Sequence, residues 1–129
     1  LAKNLLREIM GSWLAREAHT VRILDEIQRI ARDMRRALKS GDLDEVGDLL
    51  WRHWETNKRL DRKTSNAFID QLMAALRPHL AGAKLAGAGG GGFLFGVAKT
   101  ASDVEAIRVI LNSDFRHANV TFHESRIAW

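Results

Sequence analysis

Residues 82–98 read GAKLAGAGGGGFLFGVA and place six glycines within eleven positions, directly before an apolar and aromatic run. The segments AKLAG and GFLFGVA each have the length and composition of a short strand, so the pattern predicts a hairpin joined through the glycines. Glycine in place of alanine costs about 0.5–1 kcal/mol at each ordered position. The unbroken run Gly89–Gly92 therefore indicates that the backbone needs a conformation or a clearance that side chains would prevent.

Three explanations of the glycine run are open. A flexible linker would separate two autonomous parts, whereas this run lies inside one predicted hairpin. Glycines also reach the positive-φ conformations that aim several N–H groups at an anion such as a phosphate. The third explanation is that another protein loop packs against them. The second and third explanations both predict close approach to the backbone at this loop.

The common phosphate-binding motifs do not explain the run. Gly87, Gly89 and Gly92 have the spacing of the dinucleotide GxGxxG pattern, but that pattern opens a helix and here a predicted strand follows. A Walker A loop needs Gly-Lys-Ser/Thr after the glycines, and Lys84 precedes them. Lys84 is a candidate for contact with a phosphate, although a lysine at a strand edge ordinarily faces solvent.

Toward the amino terminus, the first sixty residues are predicted to be helical, because apolar side chains recur at three- and four-residue spacing. Gly41 is predicted to end the second helix and Asp42 to cap the third. A fourth helix follows the polar segment DRKTSN and stops near Pro78.

Toward the carboxyl terminus, ASDVEAIRVILNS reads as a helix with Ser102 and Glu105 forming a capping box. The segment NVTFHES, residues 119–125, alternates as a half-buried strand does. RIAW, residues 126–129, is expected to be a final edge strand.

The order of these elements predicts an α+β fold, with helices packed on one face of a small antiparallel sheet. A length of 129 residues with 46% hydrophobic content suits one domain with its own core. We expect a single domain over residues 1–129, helical over 1–80 and β-α-β over 83–129. Because the sequence starts at Leu1, within a predicted helix, we expect it to be a piece of a longer polypeptide.

The composition excludes several kinds of bond and metal site and indicates the cellular compartment. Without cysteine the chain has no disulfide and no thiolate metal site, and a reducing, cytoplasmic compartment is expected. No segment approaches the apolar length of a membrane span, so no membrane partner is expected. The five histidines lack the HxxxH spacing of a helical metal site, and no metal bound by this chain is expected.

A formal net charge of +4 suits anionic partners. The sequence carries no recognisable nucleic-acid-binding motif, so no nucleic-acid partner is expected. The most basic helix, RILDEIQRIARDMRR, is predicted to present a solvated, salt-bridged face. Its cations and the acids among or beside them are Arg29, Arg32, Arg35, Arg36 and Lys39, with Asp25, Glu26 and Asp33.

The segment KLAGAGGGGFLF, residues 84–95, resembles the third signature motif of the GHMP kinases, which include galactokinase, homoserine kinase, mevalonate kinase and phosphomevalonate kinase. In that superfamily the motif lies in the C-terminal domain. The flanking segments LAKNLLREIMGSWLAR and WETNKRLD are most similar to the L-fucokinase branch. Heptose kinases of the same superfamily carry a similar loop.

The resemblance implies ATP-dependent phosphorylation of a sugar at its anomeric hydroxyl, here L-fucose giving L-fucose 1-phosphate, with ATP and magnesium as cofactors. It also implies that the glycine loop lines the active-site cleft near the phosphates. Together with Lys84, the candidate cofactor-binding residues are Gly87, Ala88, Gly89, Gly90, Gly91 and Gly92.

The family's principal nucleotide loop, Pro-x-x-x-Gly-Leu-x-Ser-Ser-Ala, is absent from this sequence. The resemblance places that loop and the catalytic acidic residue in an N-terminal kinase domain of the same polypeptide. That domain and the sugar are the expected partners, and the chain alone is expected to be inactive. The rival interpretation is a non-catalytic basic interaction module, in which the glycines are merely a hairpin tip.

Five further positions are weaker candidates for contact with a sugar or with the active-site cleft. Four lie in the third predicted helix and one directly follows it. Trp54 is expected in the core, whereas Trp51 could either stack on a sugar or pack. Glu55 and Asn57 are expected on the helix surface, with the cleft as the alternative. Asp61 is expected to cap the next turn.

Overall fold

A computed structural model describes residues 2–87 and 90–125 of the chain. Within these ranges the helices and strands, in chain order, are α1 (Ala2–Leu14), α2 (Ala18–Ser40), α3 (Leu43–Leu60), α4 (Ala67–Leu76), β1 (Leu80–Leu85), β2 (Leu94–Ala98) and α5 (Ala101–Ser113). Short 3₁₀ turns occupy Arg62–Thr64, Arg77–His79 and Arg116–Ala118. The predicted α+β class is confirmed. None of the helices in these ranges has both the length and the apolar character to cross a membrane.

The junction between α2 and α3 follows the predicted pattern. Gly41 ends α2 in the left-handed region at φ 72°, where its amide donates to backbone carbonyls of the last turn. Asp42 then caps α3, and its carboxylate accepts a hydrogen bond from the amide of Glu45 at 2.9 Å. Both predictions are confirmed, and the pair fixes a tight connection between two antiparallel helices.

The predicted capping box of α5 is wrong. The helix begins at Ala101, and the cap is Thr100, whose hydroxyl accepts from the amide of Asp103 at 3.2 Å. A Thr-x-x-Asp sequence starts two residues before the Ser-x-x-Glu sequence and provides the same donors and acceptors, so the earlier cap is used. Asp103 also contacts His79 Nδ1 at 2.8 Å, which ties the start of α5 to the entrance of β1.

The predicted strand over residues 119–125 is also wrong. The described residues after Ala118 form no strand, and Asn119 adopts φ 50°, which ends the preceding turn. The segment is held by side chains instead, because the Arg108 guanidinium lies 4.6 Å from the Phe122 ring centroid. Alternation alone cannot make a strand without a neighbour to pair with. The predicted edge strand RIAW lies outside the described residues.

The larger core cluster joins α3, α4, α5 and β1 around Trp54, which is only 2% exposed. This confirms the core role predicted for Trp54. Its buried members are Trp54, Ile69, Leu72, Met73, Leu76, Leu80, Ala83, Leu85, Ile107 and Leu111. A second cluster holds α2 against α3 and consists of Ile30, Ala37, Val46, Leu49 and Leu50.

Helix α3 packs on β1 through two glycines. A Cβ added to Gly47 would lie 2.7 Å from the carbonyl oxygen of Ala81, and one added to Gly82 would collide with the carbonyl of Gly47. Both glycines are buried, so neither backbone can move into solvent to make room. The helix and the strand therefore meet main chain to main chain.

The same packing encloses a histidine and a lysine. His53 on α3 and Lys84 on β1 are both half-buried, and His53 Nδ1 is buried without a hydrogen-bond partner in the described chain. Burial lowers the pKa of Lys84, because the charged ammonium loses water. Burial also lowers the pKa of His53, and the nearby charge of Lys84 lowers it further.

We expect Gly82→Ala to destabilise the chain by about 1–3 kcal/mol, because the new methyl group overpacks the α3–β1 contact. Gly11→Ala is the matched control, since a Cβ there meets nothing within 4 Å. In a helix interior that change stabilises by up to about 1 kcal/mol. Urea unfolding followed by circular dichroism measures both; equal effects would contradict the close approach.

We expect Lys84→Met to raise the pKa of His53, because the change removes a nearby positive charge. The pKa should stay below the ordinary value of 6.5, since burial is the larger cause of the shift. NMR titration of the His53 ring in the 129-residue chain measures it. Lys99→Met, a lysine whose ammonium contacts the carbonyl of Pro78, is the control and should leave that pKa unchanged.

The unfolded chain binds the His53 proton more readily than the folded chain. Stability should therefore fall as the pH drops from 6.5 toward the lowered pKa. His53→Leu should reduce this part of the pH dependence in urea unfolding measured between about pH 7 and pH 5. An unchanged profile would contradict the burial of the ring.

Candidate functional site

The glycines form the loop of a β-hairpin, as predicted. Strands β1 and β2 pair antiparallel with Leu85 opposite Leu94, and the Ala86 amide donates to the Phe93 carbonyl at 2.8 Å. This ladder holds both ends of the loop. Ala88 and Gly89, two of the predicted site residues, lie outside the described residues.

The backbone of the loop requires glycine. Gly87, Gly90, Gly91 and Gly92 have φ values of 76°, 75°, 152° and 96°, a region that residues with a side chain rarely adopt. A Cβ added to Gly87, Gly91 or Gly92 would meet no described atom within 4 Å. Conformation therefore explains these glycines within the described chain, and the space beside them is open.

One hydrogen bond anchors the loop to the rest of the domain. The amide of Gly90 donates to the carbonyl of Thr64 at 2.8 Å. Thr64 is buried, and its hydroxyl donates to the carbonyl of Asn57 at 3.3 Å, near the end of α3. Asp61 caps this 3₁₀ turn, as predicted, by accepting from the amide of Lys63 at 2.7 Å. The loop is thus fixed against the α3–α4 connection.

The anchor determines which amides could meet a ligand. The Gly90 amide is already bonded to Thr64, whereas the amides of Gly87, Gly91 and Gly92 form no hydrogen bond with described residues. Unpaired amides on a loop of positive-φ residues are the donors of an anion-binding nest. The arrangement can therefore bind and orient an anion, and it offers no general acid or base of its own.

Sequence reasoning missed the turn that accompanies the loop. Arg62 and Lys63 are exposed, and they belong to the turn whose next residue, Thr64, binds Gly90. The backbone of this turn thus lies beside the glycine loop, and the turn carries two exposed cations. The only signal in the sequence was the polar break DRKTSN, because contact between distant segments leaves no local pattern.

Lys84 lies three residues before Gly87 and is half-buried, so it is not the solvent-facing lysine that a strand edge suggests. Its half-burial fits the close packing of α3 on β1. Asn57 contributes to the loop's anchor through its carbonyl, whereas Glu55 is exposed and pairs with Lys58 at 3.0 Å.

Trp51 lies away from the glycine loop. Its ring is half-buried, and the Arg77 guanidinium covers it at 4.5 Å from the ring centroid. Both side chains line a shallow hollow beside Leu80 and Ala81, at the opposite end of β1 from the glycines. Stacking of Trp51 on a sugar at the loop is therefore incompatible with this geometry.

No group of three or more histidine, aspartate or glutamate side chains in the described ranges could hold a metal ion. The candidate site consists of main-chain donors and neighbouring cations, which suits an anion rather than a cation.

Two curated relatives are similar to this chain. The L-fucokinase/L-fucose-1-P guanylyltransferase of Bacteroides fragilis is 33% identical over 127 residues, which cover 98% of this chain and 13% of that protein. The bifunctional fucokinase/GDP-fucose pyrophosphorylase of Arabidopsis thaliana is 34% identical over 108 residues, 84% of this chain and 10% of that protein. The chain thus spans only about an eighth to a tenth of these relatives.

The fold has a solved counterpart in the crystal structure of L. major mevalonate kinase in complex with R-mevalonate. The TM-score is 0.80 over 93% of this chain and 36% of that one, at 22% identity, so the likeness concerns the fold. The family model described as GHMP kinases C terminal matches residues 34–117, from the second half of α2 to the turn after α5. The chain belongs to the GHMP kinase C-terminal domain family.

Proposed function

We propose that this chain is the C-terminal part of an ATP-dependent sugar 1-kinase that converts L-fucose to L-fucose 1-phosphate. Family membership and two relatives named as fucokinases support the kinase class. The observation that carries the proposal is the glycine loop, whose positive-φ backbone is fixed at Gly90 and leaves open space beside Gly87, Gly91 and Gly92.

Phosphoryl transfer needs positioning and fixed dipoles facing negative charge, rather than covalent chemistry from the protein. The amides of Gly87, Gly91 and Gly92 are such dipoles, and their loop cannot relax freely because Thr64 holds Gly90. ATP, when bound, supplies the phosphoryl group. In this proposal its phosphates face the loop, and Lys84, half-buried three residues before Gly87, is a candidate to contact them.

In this proposal most of the magnesium ligands, and the catalytic acidic residue, lie in an N-terminal domain of the same polypeptide. The chain spans only 13% and 10% of its two relatives, which leaves length for such a domain. Exposed aromatic side chains flank the glycine loop, with Phe93 75% and Phe95 48% exposed. Rings of this size beside a binding loop support a covering domain there. A cytoplasmic location is part of the same proposal.

The sugar is the least constrained part of the proposal, because the described loop carries no side chain that would select hydroxyl groups. The alternative substrates are heptoses or other sugars of the same superfamily. We expect the parent polypeptide to phosphorylate L-fucose with ATP in a coupled assay, and the 129-residue chain alone to be inactive. Turnover of a heptose but not of fucose would assign a heptose as the substrate. Robust turnover by the chain alone would refute the proposed division between two domains.

We expect Gly87→Ala in the parent kinase to lower kcat by at least about tenfold, because a strained loop displaces its amides from the phosphates. Gly41→Ala is a closely matched control: Gly41 has φ 72° against 76° for Gly87, and a Cβ meets nothing within 4 Å at either site. Both changes should cost similar stability, and only Gly87→Ala should change turnover. Equal kinetics of the two variants would contradict a role for the loop.

A further inference from the structure

The basic face of α2 is less neutralised than its sequence predicts. This cationic face consists of Arg29, Arg32, Arg35, Arg36 and Lys39. Of the acids expected to neutralise it, Glu26 pairs outside the face and Asp33 reaches only Arg36. Glu26 accepts hydrogen bonds from Arg59 at 2.6 Å and from Thr56 at 3.1 Å, both on α3. Asp33 pairs with Arg36 at 3.2 Å, and Arg36 already pairs with Glu45 at 3.1 Å.

Four of the five cations therefore have no ion pair or hydrogen bond among the described residues. They are Arg29, Arg32, Arg35 and Lys39, and all four are exposed. The remaining acid, Asp25, is exposed and also forms no ion pair in the described ranges. The predicted salt-bridged face is thus realised only at Arg36.

The spacing of these residues keeps them on one side of the helix. Steps of three and four residues from Arg29 to Lys39 keep the side chains within about 120° of one another, over about 15 Å of helix axis. Four of them line a shallow surface hollow together with Ser40. Like charges at this spacing repel one another. Lys39 alone lies in the last turn, where the helix dipole favours a cation, so the dipole does not explain the other members.

The surroundings of the face narrow the class of partner. The large exposed apolar residues lie on other elements, such as Met10 on α1 and Phe93 beside the glycine loop, and none lies on α2. A membrane-bound helix needs apolar anchors, and single-stranded nucleic acid needs aromatic platforms. Arginine, which makes up most of this face, binds carboxylates and phosphates through paired hydrogen bonds. The sequence carries no recognisable nucleic-acid-binding motif, which favours carboxylates as the partner groups.

We propose that the cationic face of α2 docks an acidic helix of a protein partner. Carboxylates that recur at three- and four-residue spacing on such a helix lie opposite the cations along the same 15 Å, about three turns. The face lies on a different element from the glycine loop and from Thr64, so the proposal does not depend on the kinase assignment.

The test uses the 129-residue chain and two synthetic peptides of equal composition. In one, glutamates recur at three- and four-residue spacing on a single helix face; in the other, they are distributed around the helix. Fluorescence anisotropy at several salt concentrations should show tighter binding of the first peptide. Arg32→Glu/Arg35→Glu should weaken that binding by about tenfold or more, since two attractive contacts become repulsive.

The matched control is Arg7→Glu/Arg116→Glu, which changes the net charge equally at exposed arginines without ion pairs in the described ranges. It should retain binding within about twofold, and circular dichroism should show both variants folded. Equal losses in the two variants, or no preference between the peptides, would overturn the proposal. Tighter binding of single-stranded RNA or phosphatidylserine vesicles that is lost in the α2 variant would also overturn it, in favour of those partners.

Discussion

The main-chain contact between Gly47 and Gly82 determines how the two halves of the domain meet. Because neither residue has a side chain, α3 lies directly on β1, and the carbonyls of Gly47 and Ala81 occupy the space that methyl groups would fill. That approach puts Trp54 among β1, α4 and α5 and encloses His53 with Lys84. It also brings the residues after α3 within reach of the hairpin loop, where Thr64 receives the Gly90 amide.

Features set by neighbours in the sequence were predictable. Helix spacing, the Gly41 end, the Asp42 and Asp61 caps and the glycine hairpin each depend on a few consecutive residues, and each is found. The cap of α5 was misplaced because two overlapping sequences offer the same hydrogen bonds. Alternation at Val120 and Phe122 resembles that of a strand, but neither residue pairs with a strand among the described residues.

Features set by distant segments were not predictable in the same way. Nothing local signals that the carbonyl of Thr64 binds the glycine loop, or that Glu26 is paired with Arg59 on the neighbouring helix. The half-burial of Lys84 likewise follows from the close approach of α3, which a strand pattern does not reveal. The location of the candidate site could be predicted from its glycines, whereas its anchor and its adjacent cations required the fold.

The hydrogen bond between Gly90 and Thr64 joins two main-chain groups. It therefore does not depend on which side chains the turn at residues 62–64 carries. Positions 62 and 63 can exchange their exposed side chains while the carbonyl at position 64 continues to hold the loop. Relatives could therefore diverge in the charge that they present beside an unchanged loop backbone. At this turn the surface charge beside the loop can change separately from the backbone geometry of the loop.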